Sequence, residues 1–270
     1  GDLIQVGLKP HLNQVSIYRF IIAEEKMMKD LLDKIDSLQR EINKYRPFDE
    51  PMLGQLKSYY RIGLTYSSNA LEGNSLTETE TKVVLEDGLT IGGKPLRDHL
   101  EALGHSQAYD FMFSLIKQNL FTEQDVLALH RMFYRQIDDK QAGCYRRQRV
   151  FISGSRYPVP DWPDIPKLME EWLKQLPEQA KKLHLVEFAA QVHRDFVFIH
   201  PFIDGNGRVA RLLTNLVLLQ TGYLIAIIPP ITRSEYISSL EKAHTDDTAF
   251  RRFIAERVLE TQKDYLRLIK

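Results

Sequence analysis

The sequence predicts an all-α domain with an N-terminal helical extension and a single β-hairpin. Three observations lead there. Apolar residues recur at three- and four-residue spacing through most of the chain. Residues that open and close helices fall at the ends of those periodic stretches. Only RVFISGSRYPVP, residues 149–160, places strand-forming residues ahead of a turn and a return limb.

Residues 12–46 are expected to form one long helix, with Met28, Leu31, Ile35, Leu38, Ile42 and Tyr45 on one stripe. That stripe is short for a coiled coil, so the helix is expected to pack on its own domain, with a homodimer left open. Pro47 and Pro51 break the pattern. A second helix is expected over 52–71, stopping at Gly73, a natural left-handed C-terminal position. Thr77 followed by Glu80 forms a capping box that opens a third helix ending near Gly88. IGGKP is a turn, 96–118 is helical again, and Thr122 caps a helix over 123–137. In the hairpin, Val150, Phe151 and Ile152 form one limb, SGS turns, and Tyr157 begins the return. Residues 164–176, 185–199, 207–221 and 232–268 read mainly as helices. The expected division is an N-terminal helical region at 1–95 and a core at 96–270.

Composition narrows the function. Of 270 residues, 43% are apolar and 27% charged, as in ordinary globular proteins. Lys plus Arg and Asp plus Glu both number 36, so no net field draws nucleic acid or a membrane surface, and neither is an expected partner. Cys144 is alone, which excludes an intramolecular disulfide and makes a reducing cytoplasm the expected setting. No stretch supplies the roughly 18 apolar residues of a membrane span. Gly1 reads as a processing remnant.

The chemistry concentrates in HPFIDGNGRVAR, residues 200–211. A helix with Leu185, Ala189, Val192, Phe196 and Ile199 on one stripe ends at His200. Pro201 biases His200 towards extended backbone and stops the helix, which leaves a histidine base at the end of a packed element. Gly205 and Gly207 flank Asn206 where the next helix begins, and the free N–H groups there form a nest for phosphate. Arg208 and Arg211 share a face of the first turns, and guanidinium forks suit phosphate oxygens. Asp204, just ahead of the nest, is placed to hold Mg²⁺ against two phosphates. Asp-Gly-Asn-Gly alone is a common turn. A turn, however, needs neither the two arginines nor the apolar helix behind them. The set spells phosphoryl or nucleotidyl transfer.

HPFIDGNGRVAR resembles the full signature of the Fic family, with no departures. The likeness continues through HLVEFAAQVHRDFVFIHPF, RSEYISSLEKAH and AGCYR. It implies a Fic-type helical domain with a hairpin flap, and transfer of AMP from ATP to a Tyr, Thr or Ser hydroxyl of a protein, possible self-modification included, with release of pyrophosphate. By that resemblance His200 is the base, Asp204 holds Mg²⁺, and Gly205, Asn206 and Gly207 cradle phosphates. Arg208 and Arg211 bind the β- and γ-phosphates. Ile152, Ser153, Gly154, Ser155, Arg156 and Tyr157 pin the target by strand pairing. Tyr236 lines the nucleotide pocket, and His244 stands where relatives can carry Asn. His193, His99, His105 and His130 read as packed residues.

SNALEGN, residues 68–74, resembles the family's inhibitory motif. Ser68 and Glu72 are four apart on one helical face, and the implied role of Glu72 is to occupy Arg211 in place of the γ-phosphate. Three readings stay open: an autoinhibited adenylyltransferase, a hydrolase that removes AMP with Glu72 activating water, and an interaction protein regulated by nucleotide. The phosphate cradle does not read the base, so UMP and phosphocholine donors stay open as well.

Overall fold

The computed structural model describes residues 14–47 and 50–270, with side chains from Ile22 onward. Ten α-helices are described: α1 Gln14–Asn43, α2 Glu50–Ala70, α3 Glu78–Lys82, α4 Leu96–Ser114, α5 Glu123–Tyr134, α6 Ile165–Lys182, α7 Leu185–Ile199, α8 Asn206–Gln220, α9 Arg233–Lys242 and α10 Thr248–Ile269.

The centre of the fold is the antiparallel pair α7 and α8, joined by the short loop that carries the motif. Leu212, Leu213 and Leu216 of α8 are fully buried, each contributing about 1.5–3 kcal/mol. Asn215, inside this apolar helix, exchanges two hydrogen bonds with the Ala226 backbone at 3.2 and 2.6 Å, which removes the cost of burying its amide. α4 and α5 pack on α8, and α10 packs on α7. α2 lies across α4 and touches α8, which brings its C-terminal end to the motif.

α1 packs along α10, with Leu32, Ile35 and Ile42 in the core and Met28, Leu31 and Leu38 against it. Gln262 of α10 donates to the Ile35 carbonyl at 3.2 Å and to Gln39 Oε1 at 3.1 Å. The stripe is therefore satisfied within the chain. Tyr45 lies beyond the helix end and is exposed, while positions 12 and 13 fall outside the described residues. Pro51 starts α2 rather than preceding it, because the first turn needs no proline N–H. The capping box of Thr77 and Glu80 is present, followed by a π-helical turn at Val83–Asp87 that ends on left-handed Gly88. α4 and α5 stop at Ser114 and Tyr134, three or four residues short of the expected ends. α6 runs through Pro177 to Lys182, since a buried face of Ile165, Met169, Trp172 and Leu176 holds it despite the missing N–H.

The expected β-hairpin at 149–160 is not formed. Among the described residues there is no strand; the segment has one tight turn, closed by Ser155 N–H to the Ile152 carbonyl at 3.1 Å. Pro158 and Pro160 remove two ladder donors from the return limb, and Phe151, 93% exposed, has no layer to pack on.

Candidate active site at the α7–α8 junction

His200 ends α7 with φ 52° and ψ 58°, the one non-glycine residue with positive φ among those described. The extended backbone expected ahead of Pro201 is thus replaced by a left-handed one, which costs about 1–2 kcal/mol. Arg146 supplies the compensation. Its Nε donates to the His200 carbonyl at 2.8 Å and its backbone N–H to the Pro201 carbonyl at 2.9 Å. Its other two nitrogens hold the carbonyls of Gln148 and Pro160. The loop is then closed by Asn206, whose amide both accepts from Phe202 N–H and donates to the Phe202 carbonyl, each at 2.9 Å.

His130 supports the same loop from α5. Gly143 N–H donates to its Nδ1 at 2.9 Å, so Nε2 carries the proton and donates to the Asp204 carbonyl at 3.2 Å. Its ring stacks on Phe202 at 3.7 Å, and burial lowers its pKa to about 4. Gly205, φ 81°, has no alternative, because a Cβ there would meet the Phe133 ring at 2.8 Å.

The His200 ring makes one hydrogen bond, Nδ1 to the Val197 carbonyl at 3.2 Å. A carbonyl only accepts, so Nδ1 carries the proton and Nε2 keeps its lone pair. Burial pushes the pKa down to about 4, with the Val197 carbonyl opposing. At neutral pH the ring is an uncharged base.

Asp204 is held from three sides. Gly205 N–H reaches Oδ1 at 2.6 Å, Arg208 reaches Oδ1 at 3.2 Å, and Arg97 of α4 reaches Oδ2 at 2.8 Å. Arg208 is buried, lies over the Phe133 ring at 4.2 Å, and has NH1 3.0 Å from Glu101. That last pair is close enough for charge but misaligned as a hydrogen bond, and Nε of Arg208 has no partner either. Among the described residues no group of three His, Cys, Asp or Glu forms a protein cage for a metal. A single loop carboxylate already matched by cations nonetheless fits Mg²⁺, which is commonly held by one or two carboxylates plus substrate phosphates.

Arg211 turns the other way. Its Nε donates to Ser68 Oγ at 2.9 Å, and NH2 donates to the Ser68 carbonyl at 2.9 Å and to Glu72 Oε1 at 2.7 Å. Ser68 is in the last turn of α2, and Glu72 follows in the turn beyond it rather than on the helix itself. Burial opposes both charges, yet Glu72 stays below the usual carboxylate range beside Arg211 and Arg208, and Arg211 stays above its ordinary value. Gly207 makes room: a Cβ there would lie 2.3 Å from Glu72 Oε1. Behind Arg211 runs a buried chain with a fixed sense. Thr214 Oγ1 donates to the Ala210 carbonyl at 2.7 Å and so accepts from His193 Nδ1 at 3.0 Å; His193 Nε2 then accepts from the Tyr236 hydroxyl at 2.8 Å, and Tyr236 accepts from Arg211 at 3.5 Å.

Tyr236 therefore backs Arg211 and does not line the open cavity. That cavity, about 480 Å³, is bounded by Glu72, Phe198, Arg233, Glu241, His244 and the 152–159 segment. His244 is sandwiched between Phe198 at 3.7 Å and Tyr157 at 3.9 Å, and Glu241 accepts from Ser155 Oγ and Arg156 N–H. Of the remaining expected residues, Ile152, Ser153 and Gly154 border the cavity with Glu72. Sequence reasoning missed Arg97, Glu101 and Arg146. Arg97 and Glu101 were visible only as an i,i+4 pair, and Arg146 only as the last residue of AGCYR.

Residues 120–218 match the Fic/DOC family. The protein adenylyltransferase Fic of Nematostella vectensis is 35% identical over 248 residues, covering 90% of this chain and 57% of that protein. The protein of the same name from Drosophila mojavensis is 39% identical over 204 residues, covering 74% of this chain and 40% of that protein. The chain thus spans about half the length of these relatives. Among solved structures, Fic-1 from C. elegans superposes with a TM-score of 0.86 at 29% identity, covering 94% of this chain and 76% of that one. A Fic domain containing signaling protein from Bacteroides thetaiotaomicron gives 0.76 at 26% identity, covering 87% and 95%. With its motif intact on the same helical frame, this chain belongs to the Fic/DOC family.

Proposed function

We propose that this chain transfers AMP from ATP to a hydroxyl side chain of a protein, and that Glu72 holds the transfer in check. The target oxygen attacks the α-phosphorus, the bond from that phosphorus to the bridging oxygen breaks, and pyrophosphate leaves with that oxygen. The hydroxyl proton passes to His200 Nε2. One observation carries this reading: the Nδ1 bond to Val197 fixes Nε2 as the acceptor of a neutral ring. The N-terminus of α8, with the backbone N–H groups of Asn206 and Gly207, supports a phosphate chain there. Arg208, buried in the first turn of α8, adds a fixed positive charge beside it. Mg²⁺ bound by Asp204 and the phosphates would neutralise the charge of the leaving pyrophosphate.

Glu72 supports the inhibited reading because it takes the Arg211 edge that a terminal phosphate would need. ATP bound without that edge is not held for in-line attack. The test is incorporation of labelled AMP by wild type, Glu72→Gly, and Glu72→Gly combined with His200→Ala. Glu72→Gly should gain about 5- to 150-fold, the range of a typical coupling energy. Adding His200→Ala should remove about 100- to 10,000-fold. No gain in the single variant would dismiss Glu72 as an inhibitor, and undiminished transfer in the double would dismiss His200 as the base.

A second reading, removal of AMP from a modified protein, is favoured by one feature. Arg211 takes only Oε1 of Glu72, which borders the cavity and leaves Oε2 available to a water molecule. Release of AMP from the modified product, lost in Glu72→Gly, separates it from transfer.

A further inference from the structure

Resting on the reading of Asp204 as the metal carboxylate, we propose that Arg97 is a metal-access residue, a tethered cation that competes with a divalent ion for Asp204. Three donors hold the Asp204 carboxylate, whose side chain is 40% exposed. Oδ1 takes Gly205 N–H and Arg208, and Oδ2 takes Arg97 NH2 at 2.8 Å. A divalent ion bonds a carboxylate oxygen at about 2.0–2.1 Å, so a guanidinium 2.8 Å from Oδ2 competes with it for that oxygen and repels its charge.

The three donors differ in their freedom to leave. Gly205 N–H is backbone. Arg208 is 3% exposed and pressed on Phe133. Arg97 is 56% exposed, at the second position of α4, with solvent to move into. Its Nε also bonds Glu101 Oε1 at 3.0 Å, four residues on. Release of Asp204 therefore leaves Arg97 tethered rather than lost.

Glu101 gives the arrangement its reach. Its Oε2 accepts from Asn74 at 3.0 Å, two residues past Glu72, and Asn74 also donates to the Asp98 carbonyl at 3.1 Å. The turn that places Glu72 on Arg211 and the arginine that covers Asp204 thus meet on one carboxylate. The resting site is covered twice, once at the Arg211 position and once at the metal carboxylate, by groups with a common anchor.

The test is binding of Mn²⁺ alone to the nucleotide-free chain, followed by loss of the free-ion paramagnetic resonance signal. Asp204→Ala defines the component that belongs to this carboxylate. Arg97→Gln keeps a polar stem of similar shape and removes the charge; it should tighten that component about two- to tenfold, in keeping with loss of one competing, largely exposed cation. Arg97→Lys keeps the charge and should stay close to wild type. Equal or weaker Mn²⁺ binding in Arg97→Gln overturns the proposal. If Asp204→Ala leaves Mn²⁺ binding unchanged, it is the assignment of Asp204 to the metal that fails, and Arg97 with it.

Discussion

The loop at 200–211 and the segment at 149–160 meet at Arg146, which bonds the carbonyls of His200 and Pro160, yet they are held in opposite ways. The loop is closed by Asn206, propped by His130 and backed by two buried arginines. The segment has one backbone turn, two bonds to Glu241 and a stack on His244, and it leaves Phe151 in solvent. The difference matches the chemistry proposed for the loop and the target pinning that the family resemblance implies for the segment. Chemistry at His200 needs a fixed base and a fixed phosphate nest, because misplacement is costly in rate. A surface that takes up a target chain gains from unpaired backbone groups, which remain available to a partner strand.

Acid should expose the contrast most strongly. Burial lowers His105 and His193 to about 3, and His130 and His200 to about 4. An unfolded chain binds those protons near pH 6.5. The folded pKa values lie below the unfolded one, so this stability is full above about pH 6.5 and is lost as pH falls towards 4. Each histidine that must charge contributes up to about 1.4 kcal/mol per pH unit in that window. Urea unfolding at pH values from 7 down to 4.5 should show stability falling steadily. A flat profile would mean that these buried rings are not confined as neutral groups.

A single substitution sharpens the same point. Asn206→Ala removes both bonds that close Phe202 onto the start of α8, and leaves a buried N–H and a buried carbonyl without partners. The expected loss is about 2–4 kcal/mol, from two unsatisfied groups at 1–3 kcal/mol each, lowered by partial relaxation. Chemical denaturation measures it directly. A loss under about 0.5 kcal/mol would show that the loop keeps its shape by other means, such as His130 and Arg146 alone.

What the sequence disclosed follows the same division. The motif residues were legible because a helix stop, a glycine nest and a helix start lie within twelve positions. The Ser68, Glu72 and Arg211 cluster was legible through a second short motif, although Glu72 proves to sit past the helix end. What escaped notice is long-range. Arg146 is 2% exposed and bonds carbonyls 2, 14 and 54 residues away, and no local pattern announces a buried arginine. Arg97 crosses 107 positions to reach Asp204. Tyr236 was assigned to the nucleotide, but its hydroxyl is committed to His193 and Arg211 inside the core. The hairpin failed for a related reason. Val150, Phe151 and Ile152 have strand propensity, but propensity acts through packing, and this segment has no sheet to join.

The smallest expected effect on stability lies in that segment. Phe151 is 93% exposed, so Phe151→Ala removes almost no buried area and should change unfolding free energy by less than about 0.5 kcal/mol. Hydrogen exchange gives the matching readout on the backbone. Amides of 150–154 make no ladder bonds and should exchange rapidly, whereas Phe202 N–H, bound by Asn206, should be protected. If the segment serves as a docking surface, Phe151→Ala should weaken modification of a target protein while leaving the thermal midpoint in place. A marked drop in stability would show instead that Phe151 supports the fold, and protected amides at 150–154 would show a ladder. Either result would erase the distinction between a rigid catalytic loop and an open flank beside it.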